Sequence, residues 1–230
     1  MSVLSDYIAA IDQLVPGTIP LLSSDEELAI KMALKAYSKH RPRIVVEDVT
    51  GDGGFDYALT DLAAWSDGFS VIRSVEYPVD DDDETPDILQ DDDWVVYAKP
   101  AGDVLRFLAG SPLATETFRV TYTAIHAFTA TASTVKAFDE EAVQSLASAI
   151  FCEMLATYFA QNQDSTISAD SVDQRSKASE YAARARAYRT IYTDHIGIKD
   201  GQVPAASVTK DQDATPSWQG DGLTHPRRYR

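Results

Sequence analysis

The spacing of hydrophobic residues changes twice along the 230-residue chain, and this change limits the folds open to it. Residues 1–42 have hydrophobic residues at helical intervals, and residues 134–198 have them again. Residues 43–133, between these segments, are rich in the Val, Ile, Tyr, Phe and Thr that favour β-strands. The order predicts a β unit inserted between two helical segments.

Four helices are predicted. The first two have apolar rows that end at Pro16-Gly17 and at Pro42, because the residue before a proline avoids helical geometry. "FDEEAVQSLASAIFCEMLATYFAQ" begins at Asp139 as a helix N-cap, and a longer alanine-rich helix ends at Gly197. The rows are Leu4, Ile8, Ile11 and Val15; Leu28, Met32 and Ala36; and Val143, Leu146, Ile150, Met154 and Tyr158, widened by Phe151, Leu155 and Phe159.

The β segment contains four predicted strands, "RIVVEDV", "FSVIRSVEYPV", "DWVVYA" and "ETFRVTYTAIHAF". In the last strand Phe118, Val120 and Tyr122 alternate with polar residues, so one face is expected to be drier. "TGDGGFDY" and "KPAGD" are typical of turns. No helical crossover separates most of the strands, which favours an antiparallel sheet.

The predicted fold class is therefore α+β: a helical bundle of N- and C-terminal helices, an antiparallel β insertion domain and an extended C-terminal tail. Residues 1–42 and 134–198 form the bundle, 43–133 the insertion, and 199–230 an extended arm. At 44% hydrophobic the chain can bury a core, and no secretory signal or long uncharged apolar run is evident, so we expect a soluble protein. Its single cysteine, Cys152, excludes an internal disulfide.

A net charge of −16 argues against a general nucleic-acid-binding surface, which requires a basic footprint. The basic residues of "RSKASEYAARARAYR" spread around their helix, so surface salt bridges are favoured over DNA binding. The acidic residues are most concentrated in one acidic loop, formed by Asp80, Asp81, Asp82, Asp83, Asp91, Asp92 and Asp93.

The acidic loop does not match a standard cation site. An EF-hand loop needs a central glycine and a terminal bidentate glutamate, whereas "DDDDETPDILQD" has Pro86 and Asp87 in its middle. "DVTGDGGFDYAL" has glycines but no terminal glutamate. We expect a solvated hairpin loop rather than a metal site, and a charged patch directed at a partner or a channel remains the third alternative.

The search for catalytic residues is negative. The chain has no G-x-S-x-G, Walker A, H-E-x-x-H or C-x-x-C motif. His40, His126, His195 and His225 are scattered and read as surface or helix-end residues, and Cys152 falls in the apolar row of its helix. We therefore expect no enzyme, no cofactor and no bound metal.

The last thirty residues have almost no periodicity but contain apolar and basic side chains suited to binding a neighbour. An arm of this kind orders when it binds, although a functionless tail is an equal alternative. The predicted partner-binding residues are Trp218, Leu223, Arg227, Arg228, Tyr229 and Arg230.

The helix pair "LSDYIAAIDQLV…SSDEELAIKMALKAYSKHRPR", followed later by "DEEAVQSLASAIFCEMLATYFAQ" and "SKASEYAARARAYRTIYTDHIGI", resembles the head–tail connector (adaptor) proteins of tailed bacteriophages. The resemblance covers the helices and the tail, about half the chain, and rests on organisation rather than on a diagnostic motif. The β insertion departs from the smallest members of that family, which are nearly all helical.

The resemblance implies a structural virion protein that forms a homo-oligomeric ring, usually of twelve copies, beneath the portal. Genomic DNA would pass through the ring without sequence-specific binding, and tail or neck proteins would be further partners, with no membrane involved. The expected location is the virion neck, after assembly in the host cytoplasm. The alternatives are a tail-completion or stopper protein and, third, a cation-dependent hydrolase that uses the acidic loop.

Overall fold

In the computed structural model the chain is described over residues 3–16, 23–79, 86–108, 110–128, 132–161 and 169–198, without the side chains of residues 23 and 169–176. The predicted arm, its six partner-binding residues, His225 and Asp80–Asp83 lie outside these ranges. Helices and two small antiparallel sheets make up the described part, which confirms the α+β fold class.

The helices are α1 (Leu4–Leu14), α2 (Ser23–His40), α3 (Glu140–Gln161) and α4 (Ala169–Ile196). A short 3₁₀ turn, Ala137–Asp139, leads into α3. α3 packs against all three other helices, which explains why eleven of its side chains are buried. Gly197 ends α4 with φ 80°, and the N–H groups of Gly197 and Ile198 donate to the Thr193 carbonyl, so the predicted stop is confirmed.

The buried face of α2 is not the face that carries the Leu28–Met32 row. Tyr37, Ile30 and Ala33 are fully buried in the helical core, whereas Leu28 and Met32 are 48% and 47% exposed. Ile30, Ala33 and Tyr37 also form a row at helical spacing, and this row lies in the core that α2 shares with α3. The periodicity therefore predicted the helix but not which side of it faces the core.

The strands are β1 (Arg43–Thr50), β2 (Asp56–Ala58), β3 (Ile72–Glu76), β4 (Trp94–Lys99), β5 (Gly102–Phe107) and β6 (Thr117–Ala124). One sheet has the order β1-β6-β3 and the other β2-β5-β4, and all pairs are antiparallel. Residues that lie opposite each other on paired strands include Val45 and Tyr122 in the first sheet and Tyr97 and Val104 in the second.

A second hydrophobic core fills the space between the two sheets. Phe118, Val120 and Tyr122 are buried as the alternation in β6 predicted, and Phe107 of the other sheet meets Phe118 edge to face at 5.2 Å. A 3₁₀ turn, Leu59–Asp61, adds Leu59 to this core. The helical and β parts of the chain thus bury separate sets of apolar side chains.

The prediction of a hairpin around the acidic loop is wrong. β3 and β4, which flank the loop, belong to different sheets, because β3 pairs with β6 and β4 pairs with β5. The middle of the acidic loop instead covers the outer edge of β3: Leu89 N–H donates to Val75 O at 2.9 Å, and Tyr77 N–H donates to Asp87 O at 2.9 Å. β2 and β5 were not predicted, since each overlaps a stretch, "TGDGGFDY" or "KPAGD", whose residues are typical of turns.

Candidate functional site

Both connections between the β insertion and the helical bundle meet at one place. α2 ends at His40 and β1 begins at Arg43, while β6 ends at Ala124 and the turn into α3 ends at Asp139. The segments that enter and leave the insertion are therefore side by side. A buried polar network occupies this junction.

The Asp139 carboxylate is at the centre of the network and has no exposed surface. Its Oδ2 accepts the Tyr37 hydroxyl at 2.6 Å, and its Oδ1 accepts Arg41 Nη1 at 2.6 Å and His195 Nε2 at 2.9 Å. The three donors come from the end of α2, the residue after it, and the end of α4. One carboxylate thus connects α2, α3 and α4.

Burial alone would raise the pKa of the Asp139 carboxyl, because it penalises the charged form. The hydrogen bonds from Tyr37, His195 and Arg41 outweigh this, so the pKa of Asp139 lies below its usual value. Burial, together with donation to Asp139, raises the pKa of Tyr37, so its hydroxyl remains a donor. The carboxylate is therefore ionised at neutral pH and fully partnered.

His126 connects the insertion to α2 in the same region. Its backbone N–H donates to Ser38 Oγ at 2.9 Å, its ring Nε2 lies 2.9 Å from Arg41 O, and its Nδ1 lies 2.9 Å from Thr134 O and 3.1 Å from Thr134 Oγ1. A carbonyl only accepts, so each ring nitrogen bonds to its carbonyl only as an N–H donor, and the neutral ring supplies one such donor. Burial lowers the pKa of His126 and so favours that neutral form.

His40 provides a further contact between α2 and α4, since its Nδ1 lies 2.7 Å from the Tyr192 hydroxyl. Burial and the nearby Lys39 lower the pKa of His40. His40 and His195 are at helix ends, as the sequence predicted, but the prediction fails for His126, which is only 4% exposed. The apolar neighbours Ile125, Ala127 and Phe128 were the local sign that His126 is buried.

The network contains an Asp–His pair but not a catalytic triad. The His195 ring lies against Phe138, with centroids 4.9 Å apart, and within the described ranges no serine, threonine or cysteine side chain bonds to it. Burial raises the pKa of the Cys152 thiol to about 11, so this cysteine is protonated and inert as a nucleophile. Charge, burial and full hydrogen bonding fit a structural role for the network.

Asp91, Asp92 and Asp93 of the acidic loop lie in the described part of the chain, in the turn before β4. Asp91 and Asp92 are exposed, whereas Asp93 stabilises the turn before β4: its side chain accepts the Gln90 N–H at 3.0 Å, and its carbonyl accepts the Leu108 N–H at 2.7 Å. Over the described residues, no three His, Cys, Asp or Glu side chains are placed to hold a metal ion. Asp80–Asp83 lie outside those residues.

Two arginines of α4 make salt bridges with acidic neighbours. Arg184 pairs with Glu180 one turn earlier, and Arg189 forms two hydrogen bonds with Glu153 of α3 at 2.6 and 2.7 Å. This agrees with the salt-bridge interpretation of these two arginines.

Over the described residues, exposed apolar side chains include single residues such as Phe138 and Ile191 and three groups. The first is an open groove between α2 and α3, lined by Met32, Met154 and Tyr158, with a volume of about 430 Å³. The second is the outer face of β1, where Ile44 and Val46 are 56% and 57% exposed. The third is β4, and it includes Val95, Val96 and Tyr97.

No protein-family model matches the chain, and no curated protein matches it either. By length and composition alone, Ala137–Gln161 could cross a membrane, but most of this segment is buried in the helical core. That burial is what the central helix of a globular protein shows.

Proposed function

We propose that this chain is a structural virion protein: a head–tail connector (adaptor) that forms a ring between the portal and the tail and lets genomic DNA pass. The observation that carries the proposal is the exposed apolar surface on α2, α3, β1 and β4. A strongly charged soluble chain rarely leaves several such surfaces uncovered unless other subunits cover them. The helical bundle is compatible with the resemblance to phage adaptors, whereas the β insertion departs from the smallest members of that family.

The charge of the chain is compatible with this function. A lumen that attracted DNA phosphates would hold the genome, whereas a net charge of −16 per copy, repeated around a ring, repels it. Asp91 and Asp92 are exposed, so their charges would add to this electrostatic repulsion of DNA. Replacing Asp80–Asp83, Asp91 and Asp92 by asparagine should therefore leave folding and assembly unchanged but alter the rate of DNA ejection.

Native mass spectrometry and electron microscopy of the chain, alone and with portal protein, test the proposal. In the presence of portal protein we expect rings, usually of twelve copies, bound to the portal. Met32→Lys places a charge in the α2–α3 groove and should reduce assembly, while its matched control, Lys31→Gln, leaves the groove apolar. A chain that stays monomeric with and without portal would refute the proposal.

The arm provides a second test of the same function. Deleting residues 205–230 should leave the circular dichroism spectrum of the folded core unchanged, because both hydrophobic cores lie in the preceding residues. The deletion should weaken portal binding if the arm holds the partner. Unchanged binding would show that the predicted arm residues have no part in assembly.

A tail-completion or stopper protein is the second candidate. The β4–β5 hairpin favours it, since its exposed Val95, Val96 and Tyr97 could contact a tail protein. Binding to tail-tube rings but not to portal would select this alternative. A cation-dependent hydrolase is the third candidate, and calorimetry with Ca²⁺, Mg²⁺ and Mn²⁺ tests it: the absence of saturable binding would eliminate it.

A further inference from the structure

β1 has one paired edge and one open edge. Its paired edge faces β6, where Gly51 N–H donates to Glu116 O at 2.7 Å. Backbone groups alternate in direction along a strand, so Val49, Glu47 and Val45 also point to β6, and the groups between them point the opposite way. The outward N–H and C=O groups belong to Ile44, Val46, Asp48 and Thr50, and no described residue bonds to them.

The open edge is eight residues long and is not covered by any described residue, unlike the other outer edge of the same sheet. The outer edge of β3 is covered by the hydrogen bonds of residues 87 and 89, whereas β1 runs for eight residues without such a cover among the described residues. The side chains of Ile44 and Val46 lie next to this edge on the outer face of the sheet, and each is more than half exposed. An uncovered edge of this kind is a template for pairing with another strand.

The first five residues of β1, "RIVVE", are self-complementary. Antiparallel pairing of two copies about Val45 sets Arg43 of each copy opposite Glu47 of the other, and Ile44 opposite Val46. Opposite charges and β-branched pairs at these positions stabilise a sheet. A pairing centred on Val46 would set Ile44 opposite Asp48 and would lose both the charge pair and the β-branched pair. The register centred on Val45 is therefore favoured.

The surroundings of the two charges agree with this pairing. Arg43 makes no ion pair with any residue that the structure describes, and Glu47 is four residues away along an extended strand, about 13 Å. The Glu47 carboxylate is held by the Ala63 N–H at 3.1 Å and the Tyr122 hydroxyl at 2.8 Å. A carboxylate has about four acceptor sites, so it can still accept an arginine.

We propose that β1 is a docking edge for β1 of a second copy of this chain, with the two strands antiparallel about Val45. The contact is two-fold symmetric, so each copy uses the same surface. A connector ring closes through head-to-tail contacts between different surfaces, and the proposal therefore does not depend on the connector function. Because five paired residues bury less than the roughly 1,600 Å² of a standard interface, the dimer is weak and concentration-dependent.

Sedimentation velocity of the full-length chain over a wide concentration range tests the proposal. We expect a reversible monomer–dimer equilibrium whose dissociation constant rises about tenfold or more in Arg43→Glu, since two attractive pairs become repulsive. Val46→Lys should have a similar effect. Its matched control, Thr50→Lys, puts the same charge on the same face outside the paired residues and should leave the dimer intact.

A charge exchange and an amide-exchange measurement make the test specific. Arg43→Glu combined with Glu47→Arg should restore dimerisation, and the outward amides of Ile44 and Val46 should exchange more slowly with deuterium in the dimer. Circular dichroism verifies that each variant is folded. A wild-type chain that stays monomeric, or a dimer indifferent to both Arg43→Glu and Val46→Lys, overturns the proposal and leaves the connector function to its own test.

Discussion

Replacing Asp139 by alanine should destabilise the protein by about 2–4 kcal/mol, because three donors from different parts of the chain lose one acceptor. The Tyr37 side chain has no exposed surface, so its hydroxyl cannot turn to water. Leaving a buried hydroxyl unsatisfied costs about 1–3 kcal/mol. The largest single contribution is therefore expected from this hydrogen bond.

Arg41 and His195 contribute less, since their side chains are 33% and 23% exposed and water can replace part of the lost interaction. Loss of one partner from a fully buried ion pair costs about 3–5 kcal/mol, and partial solvation brings the expected value to the range above. For a folded region of about 200 residues this lowers the melting temperature by on the order of 10 °C. Asp139→Asn keeps one acceptor oxygen and should fall between the wild type and Asp139→Ala.

Urea unfolding followed by two probes measures the loss of stability and shows whether the bundle and the insertion unfold together. Far-UV circular dichroism follows the helices, while fluorescence of Trp65 and Trp94 follows the β core, with Trp218 replaced by phenylalanine in every variant. The wild-type transitions should coincide, because Arg41 donates to Asp139 through its side chain and also contacts the His126 ring, on the segment that leaves the insertion, through its carbonyl. In Asp139→Ala they should separate, which would indicate that the parts unfold independently.

Asp48→Asn is the matched control. Asp48 also bonds to an arginine, Arg119, at 2.6 Å, but its side chain is 50% exposed, so the substitution should cost less than about 1 kcal/mol. A loss in Asp139→Ala no greater than in this control, with coincident transitions, would refute the view that the network joins bundle and insertion.

Three further predictions concern pH and packing. Thermal stability should fall in two steps on acidification: below about pH 6.5, where His126 and His40 must bind protons that their lowered folded-state pKa values disfavour, and again below about pH 3.8, as Asp139 loses its charge. A pH series of melting curves, repeated on His126→Gln, should show a smaller first step. Urea titration should give a loss of about 2–5 kcal/mol for Ile30→Ala but under 1 kcal/mol for the half-exposed Met32→Ala. Gly197→Ala should cost about 1 kcal/mol by the same measurement, because its φ of 80° is unfavourable for alanine.

The sequence predicted the fold class because hydrophobic spacing is a local property. The alternation of Phe118, Val120 and Tyr122 and the glycine stop at Gly197 both appear in the structure where they were expected. The junction network could not be predicted in the same way. Tyr37 and Asp139 are 102 residues apart, and neither residue has a local pattern that indicates the other.

Strand pairing failed for a related reason. The segments on either side of the acidic loop look like the two arms of a hairpin, since each is a short apolar run next to a polar connection. The partner of β3 is nevertheless β6, because pairing with β6 buries Val75 beside Val120 in the second core. The connection to β4 then has to cross from one sheet to the other, so the acidic loop is a link between sheets.

The two apolar rows of α2 show that helical periodicity does not identify which face of a helix is buried. Both rows have helical spacing, so periodicity cannot distinguish a face buried within the subunit from a face left for a partner. The structure separates them: Ile30 and Ala33 pack in the helical core, while Leu28 is half exposed and Met32 lines an open groove. Because burying Met32 inside the subunit would require α2 to turn Tyr37 away from Asp139, the junction network also determines which row stays available for assembly.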